Sequence, residues 1–231
     1  ILRKAMENAD GIVCTVTDNI TDKLLTLPNK KVKIIANIGV GVDHIDLQSA
    51  KQNNVIITNT PDVLTEATVD IATLLLLSVT RNAFLLETML RQGEWKGFSL
   101  TENLGVDVRG KILGIVGMGR IGKAFAKRAH EVFGMKVLYH NRSPVKDLTF
   151  EASVRFDLDA LLKESDVISL HLSSDEGNKN FISKSRMKKI RCSSFLINTS
   201  RGDVIDQMAL IDLLEKKKIA GAGLDVFLNE P

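Results

Sequence analysis

Short apolar runs alternate with amphipathic stretches along most of the chain. Gly11–Val16 (GIVCTV), Lys33–Ile38 (KIIANI) and Val55–Thr58 have the length and composition of strands. Between them the pattern predicts helices over Thr21–Leu27, halted at Pro28, and over Leu47–Gln52, with Asp46 at the N-cap position. This alternation predicts a small α/β layer. Thr60, Pro61 and Asp62 then punctuate the chain, and a helical pattern runs from about Leu64 to Arg91. Its centre, IATLLLLSV, is apolar nearly all round, which predicts one long helix, buried on several sides, joining two domains at 1–61 and 62–231. From Gly93 to Gly110 the pattern stops. The only tryptophan, Trp95, lies in this loop, where it suits either a subunit contact or folding back on its own domain.

Lys111–Val116 is an Ile/Leu/Val-rich run with the composition of a strand buried on both faces. Gly117, Gly119 and Gly122 follow at once in G-x-G-x-x-G spacing, and from Ile121 apolar residues recur at helical spacing through Ala124, Phe125 and Ala129. A second strand, Lys136–Tyr139, completes a βαβ unit. The spacing assigns Gly117 to the tight turn, Gly119 to close approach of a pyrophosphate and Gly122 to packing of helix on strand, with the helix N-terminus facing the anion. A dinucleotide site follows. A fold preferring NAD places an acid about 20 residues past the glycines, to bond the ribose 2′-hydroxyl. Here stand His140, Asn141 and Arg142, so NADP(H) is the better fit and NAD(H) the alternative, with Arg142 otherwise a solvated turn residue.

Further along, Leu158–Lys163, Ser183–Ile190 and Asp206–Lys217 read as helices, and Asp166–Leu172, Ser194–Thr199 and Ile219–Val226 as strands. Five strand runs with intervening helices predict a doubly wound parallel sheet of the Rossmann kind, which binds ligands at the carboxyl ends of its strands. Those ends carry His171 and Ser173, then Thr199, Ser200, Arg201 and Gly202, then Asp225. Arg201, between Ser200 and Gly202, is placed to present a guanidinium to a small anion; a structural ion pair with Asp203 or Asp206 is the competing reading. Glu230 alone would be an ordinary loop carboxylate.

Composition narrows the function classes. The 231 residues are 44% hydrophobic and 26% charged, an ordinary globular profile. A net charge of +3, spread along the chain, implies neither a nucleic acid nor a membrane partner, and the apolar run Leu74–Val79 is too short to span a bilayer. Cys14 and Cys192 each lie in or beside a strand-like run, which predicts two buried free thiols and a reducing cytoplasm. His44, His130, His140 and His171 do not cluster at ligand spacing, so no metal site is expected. The chain opens at Ile1 and stops at Pro231 amid what reads as unfinished structure, so it is expected to be part of a longer protein.

Taken together, NIGVGVDHIDL (37–47), TPDVLTEATVD (60–70), GKILGIVGMGRIGKAFAKRA (110–129), SDVISLHL (165–172), FLINTSRGDVID (195–206) and AGAGLDVFLNEP (220–231) resemble the D-isomer-specific 2-hydroxyacid dehydrogenase family over essentially the whole chain. Within it the chain looks most like the glyoxylate and hydroxypyruvate reductase branch. The resemblance implies an α/β enzyme with a cofactor domain, a smaller flavodoxin-like substrate domain that is incomplete here, and a homodimer acting on a small 2-keto or 2-hydroxy acid. It implies that Arg201 holds the substrate carboxylate and carbonyl oxygen, and that the N–H groups of Val40 and Gly41 bind the carboxylate. Arg120 and Ile121 would meet the pyrophosphate, Thr68 and Asp225 the nicotinamide side, and Thr199 the neighbouring backbone contacts. Glu230 would pair with a catalytic histidine, expected downstream of Pro231, and keep it protonated. Ser173 departs from the proline common there in the family, which alters the loop near the adenosine. The alternatives are an NAD-dependent member acting on phosphoglycerate or another acid, and a dinucleotide-sensing protein like the C-terminal binding protein corepressors, which share the fold.

Overall fold

The computed structural model describes residues 1–173 and 176–230, and only the backbone of Glu176. The chain divides into two compact units between Leu64 and Thr65. The first contains α1 (Leu2–Asn8), β1 (Gly11–Cys14), α2 (Asp22–Leu25), β2 (Ile34–Asn37), α3 (Leu47–Gln52) and β3 (Ile56–Thr58). Its strands form a parallel sheet in the order β1-β2-β3, with Cys14 opposite Asn37. Met6, Ile20, Leu25, Ile35, Ile45 and Val55 make its core, whereas Val13, Ile34 and Ile56 are exposed. The alternation along β2 is thus the period-2 pattern of a sheet with one covered face. Asp46 caps α3 as expected, its Oδ1 accepting from the Ser49 N–H at 2.9 Å. Helix α1 was not anticipated from the pattern, because LRKAMEN buries only Met6 and is too short to display a helical period.

The second unit holds α4 (Thr65–Thr80), α5 (Ala83–Arg91), β4 (Ile112–Val116), α6 (Arg120–Phe133), β5 (Lys136–His140), β6 (Ala152–Val154), α7 (Leu158–Glu164), β7 (Val167–Leu170), α8 (Lys184–Met187), β8 (Phe195–Asn198), α9 (Gln207–Glu215) and β9 (Gly221–Leu224). Its sheet is parallel throughout, in the order β6-β5-β4-β7-β8-β9. Counted from β4, that is the 3-2-1-4-5-6 order of a doubly wound dinucleotide fold. One face is covered by α4 and α6, through Val69, Leu76, Phe125 and Ala129. The other is covered by α7, α8 and α9, through Leu161, Leu162, Met187 and Leu210. Burial on both faces explains why β7 and β8 are apolar runs rather than alternating ones.

Three expectations need correction. The sheet has six strands, not five: β6 is an edge strand of three residues, too short to stand out, and it pairs Ala152 with Val137. The stretch Leu64–Arg91 is not one helix. Asn82 adopts a left-handed backbone (φ 54°) and donates from Nδ2 to the Leu104 carbonyl at 3.1 Å, so α4 and α5 meet at a 65° bend. Helix α4 lies wholly in the second unit and packs on α6, β8 and β9, while α5 buries no residue. No single helix among the described residues is long and apolar enough to cross a membrane. Finally, of the two thiols expected to be buried, only Cys14 is; Cys192 is exposed, in the turn between α8 and β8.

Candidate active site

The glycine turn after β4 has the geometry its spacing predicts. Gly117 has a φ of 95°, donates its N–H to the His140 carbonyl at 3.0 Å, and would place a Cβ only 2.5 Å from the His171 carbonyl oxygen. At Gly122 a Cβ would lie 2.1 Å from the Gly117 carbonyl oxygen, so helix and turn touch there. Gly119, the N-cap of α6, differs: its φ is −77° and nothing lies within 4 Å of a Cβ position. The missing side chain at Gly119 therefore leaves room on the outer side of the loop, at the N-terminus of a 14-residue helix whose free N–H groups favour phosphate. Arg120 is exposed in the first turn, and Ile121 is half-buried beside it.

Two strand ends flank this turn. Leu170 on β7 pairs with Val116 on one side and with Asn198 on β8 on the other, which sets Gly117, His171 and Thr199 side by side at the carboxyl edge. Nε2 of His171 lies 2.9 Å from Ser169 Oγ, and its ring stacks obliquely on Phe125 at 5.6 Å. Burial pushes the His171 pKa down to about 3, so the imidazole is neutral at ordinary pH. Its Nδ1 and the Thr199 Oγ1 are both buried and have no hydrogen-bond partner among the described residues. Leaving a buried polar atom unpaired costs about 1–3 kcal/mol. Two such atoms on adjacent strand ends, next to an open glycine loop, fit a polar ligand laid along the edge of the sheet.

The turn after β8 is held by one side chain. Asn198, 1% exposed, donates from Nδ2 to the Arg201 carbonyl at 2.9 Å, and its Oδ1 accepts from Ser200 N–H at 3.0 Å and Ser200 Oγ at 2.7 Å. The half-buried Arg201 is thereby fixed at the strand end, with its Nη1 donating to the Ser200 carbonyl at 2.9 Å. The residue after it must be glycine, because a Cβ on Gly202 would sit 2.0 Å from the Phe227 carbonyl. That close approach brings the segment after β9 beside Arg201. Here the exposed Asp225 donates its N–H to the Asn198 carbonyl at 3.0 Å, and Glu230 Oε1 accepts from the Phe227 N–H. Glu230 thus folds back on its own turn, the turn whose Phe227 lies against Gly202.

In the first unit the loop after β2 is built by the same device. Asn37, 2% exposed, donates from Nδ2 to the carbonyls of Gly39 (3.1 Å) and Gly41 (2.9 Å). Asn59 Nδ2 donates to the Val40 carbonyl at 3.0 Å, and Thr60 Oγ1 accepts from the Gly39 N–H at 3.0 Å. Every carbonyl of the loop is thus taken up by a donor, while the N–H groups of Val40 and Gly41 make no hydrogen bond among the described residues. Two adjacent free N–H groups form a small anion-binding nest.

The remaining predicted positions are dispersed along the second unit. At the end of β5, His140 Nδ1 donates to the Arg155 carbonyl at 2.9 Å, and Asn141 Nδ2 donates to the Ser143 carbonyl at 3.0 Å. Arg142 is exposed and has no partner among the described residues. Thr68 is half-buried in the first turn of α4. Beyond β7, the Ser173 carbonyl accepts from Asn178 Nδ2 at 2.8 Å. Trp95 is 61% exposed and lines a groove of 920 Å³ with Leu86, Leu90, Phe98 and Leu104. The sequence reading missed the two asparagines, Asn37 and Asn198. Their signal was available: each is a polar residue closing an otherwise apolar strand, directly before a glycine-bearing loop.

The family model of the D-isomer specific 2-hydroxyacid dehydrogenase NAD-binding domain matches residues 73–231. A glyoxylate reductase of Thermococcus litoralis is 44% identical over 236 residues, covering all of this chain and 71% of that protein. Among solved structures, the glyoxylate/hydroxypyruvate reductase of Sinorhizobium meliloti in complex with NADP and malonate superposes with a TM-score of 0.87 at 35% identity, over 98% of this chain and 69% of its own. The D-lactate dehydrogenase of Aquifex aeolicus with NAD and lactic acid gives 0.89 at 32% identity, over 98% and 67%.

Proposed function

The chain belongs to the D-isomer specific 2-hydroxyacid dehydrogenase family, an oxidoreductase family built on a nicotinamide dinucleotide, and we propose that it reduces glyoxylate or hydroxypyruvate to the D-2-hydroxy acid with NADPH. The observation that carries this reading is the Asn198-held Arg201 at the carboxyl edge of the sheet that bears the glycine loop. The glycine loop would hold a nicotinamide dinucleotide, whose chemistry when bound would be hydride donation to the 2-keto carbon. The protein's own contributions are positional and electrostatic. Arg201 pairs with the substrate carboxylate and stabilises the negative charge that develops on the carbonyl oxygen. The Val40 and Gly41 N–H groups bind the carboxylate, and Glu230 holds the proton-donating histidine in its charged form, as the family resemblance implies.

For the cofactor, Gly117, Gly119, Arg120, Ile121 and Gly122 are assigned to the pyrophosphate, and Thr68, Thr199 and Asp225 to the nicotinamide side. His171 and Ser173 are assigned to the adenosine side. Asn141 and Arg142 are assigned to the 2′-phosphate, which supports NADP(H) over NAD(H), since Arg142 is exposed and unpartnered where a carboxylate would repel that phosphate. Steady-state kinetics of the full-length protein test this: kcat/KM is expected to be higher with NADPH, and Arg142→Ala to narrow the preference by about 1–3 kcal/mol, the scale of a charge-assisted hydrogen bond. Equal loss with both cofactors would contradict the assignment.

We further propose a homodimer formed through the apolar surface around Trp95, on the exposure of Leu90, Trp95, Phe98 and Leu104 along one groove. Sedimentation of Trp95→Ala is expected to show weaker association, and a monomeric wild type would contradict it. The free thiols of Cys14 and Cys192 favour a cytoplasmic setting.

A further inference from the structure

The anion-binding nest in the first unit depends on which way one amide group faces. Asn37 Nδ2 lies between the carbonyl oxygens of Gly39 and Gly41, which only accept hydrogen bonds, so the NH₂ end must face them and Oδ1 must face the other way. On that other side, His44 Nε2 lies 3.0 Å from Oδ1. Because Oδ1 only accepts, His44 must carry its proton on Nε2 and donate it. The second group near Oδ1 is the Cys14 thiol at 3.7 Å, which burial keeps protonated and which is a weak donor. His44 is therefore the strong donor to Oδ1, and it adds to the two carbonyls in holding the Asn37 amide in place. In the flipped orientation Oδ1 would face two carbonyl oxygens, and the NH₂ would face the His44 N–H.

We propose that His44 is a positioning residue for substrate binding: by donating to Asn37 it holds that amide against the Gly39 and Gly41 carbonyls, and so sets the Val40 and Gly41 N–H groups to receive a carboxylate. This rests on the assignment of that loop to the substrate carboxylate. The coupling runs through Nε2 alone, because the buried Nδ1 of His44 has no partner among the described residues. Asn37 is 2% exposed and its two donor bonds span the loop, so a displaced amide frees the Gly41 carbonyl and leaves Gly39 held only by the Thr60 N–H at 3.2 Å. The Gly39–Gly41 backbone would then lose part of its tether, and with it the fixed placement of the Val40 and Gly41 N–H groups. His44 itself touches no substrate atom in this scheme. Its loss should therefore weaken binding of the carboxylate without altering hydride transfer.

The test uses the full-length protein with three variants and three readouts: KM and kcat for glyoxylate, the inhibition constant of oxalate, and the dissociation constant of NADPH. His44→Phe keeps a ring and removes the donor; it is expected to raise KM and the oxalate constant about tenfold, the loss of one buried hydrogen bond, with kcat within about twofold and NADPH binding unchanged. His44→Asn keeps a donor on a shorter arm, and is expected to recover both constants to within about threefold of wild type. Val40→Pro deletes one nest N–H and tests the loop's assignment separately; it is expected to raise the oxalate constant as well. An unchanged oxalate constant in His44→Phe, alongside a raised one in Val40→Pro, overturns the role of His44 and leaves the nest standing. A rise in His44→Phe that His44→Asn does not recover also overturns it, since packing alone would then account for the effect. An unchanged constant in Val40→Pro overturns the nest itself. Where His44→Phe does not fold, His44→Leu is read by the same criteria.

Discussion

Asn198 Nδ2 donates to the Arg201 carbonyl at 2.9 Å, so the turn bearing the guanidinium proposed to hold the substrate hangs from a side chain that is 1% exposed. Asn198→Asp keeps the acceptor for Ser200 but turns a carboxylate oxygen toward that carbonyl. The variant is expected to lose about 1–3 kcal/mol of stability, the scale of an unpaired buried acceptor. Its kcat/KM for glyoxylate is expected to fall about 10²-fold while NADPH affinity holds, because misplacing an orienting group by a fraction of an ångström is that costly. Chemical unfolding and steady-state kinetics check the two halves, and a variant with wild-type kinetics would mean that Arg201 does not need its tether.

The glycines of the motif are expected to separate stability from binding. Gly122→Ala forces a methyl to 2.1 Å from the Gly117 carbonyl oxygen, and should destabilise by about 1–3 kcal/mol as overpacking does. Gly119→Ala meets nothing within 4 Å and has an ordinary φ, so its unfolding midpoint should stay at or slightly above that of wild type. Its NADPH dissociation constant should nevertheless rise, because the methyl projects into the space the pyrophosphate needs. A Gly119→Ala protein that binds NADPH as tightly as wild type would remove that residue from the site.

His171 makes stability depend on pH in a defined window. Burial holds its folded pKa near 3 against 6.5 for the free side chain, so between those values the unfolded chain binds a proton that the folded chain does not. Stability is then complete above about pH 6.5 and falls as pH drops toward 3, at no more than about 1.4 kcal/mol per pH unit from this group. Urea unfolding at pH near 7.5 and near 5 should show a loss for wild type and a smaller loss for His171→Asn. Identical losses would place the protonation elsewhere.

Much of this architecture was legible in the order of residues. The glycine spacing between Val116 and Lys123 located the nucleotide turn, and the mainly apolar runs of β7 and β8 announced a sheet covered on both faces. What was not legible has physical reasons. The break at Asn82 is set by a hydrogen bond to Leu104, a contact 22 residues away that no local pattern records. Strand β6 is three residues long and earns its place only by pairing with β5. The roles of Asn37 and Asn198 depend on which carbonyls their amides reach, and that is a property of the loops once folded. Cys192 reads as buried beside a strand and is exposed, because the turn that precedes β8 carries it at the surface.

The central claim is that Arg201 serves the substrate on a domain that binds the dinucleotide without it. The most direct measurement takes full-length Arg201→Ala and determines both its NADPH dissociation constant and its turnover of glyoxylate. The expected result is NADPH binding within about threefold of wild type, with kcat/KM lower by about 10³-fold or more, because orientation of the carboxylate and stabilisation of the developing charge are lost together. Retained turnover, or a loss of NADPH binding as large as the loss of activity, would contradict it.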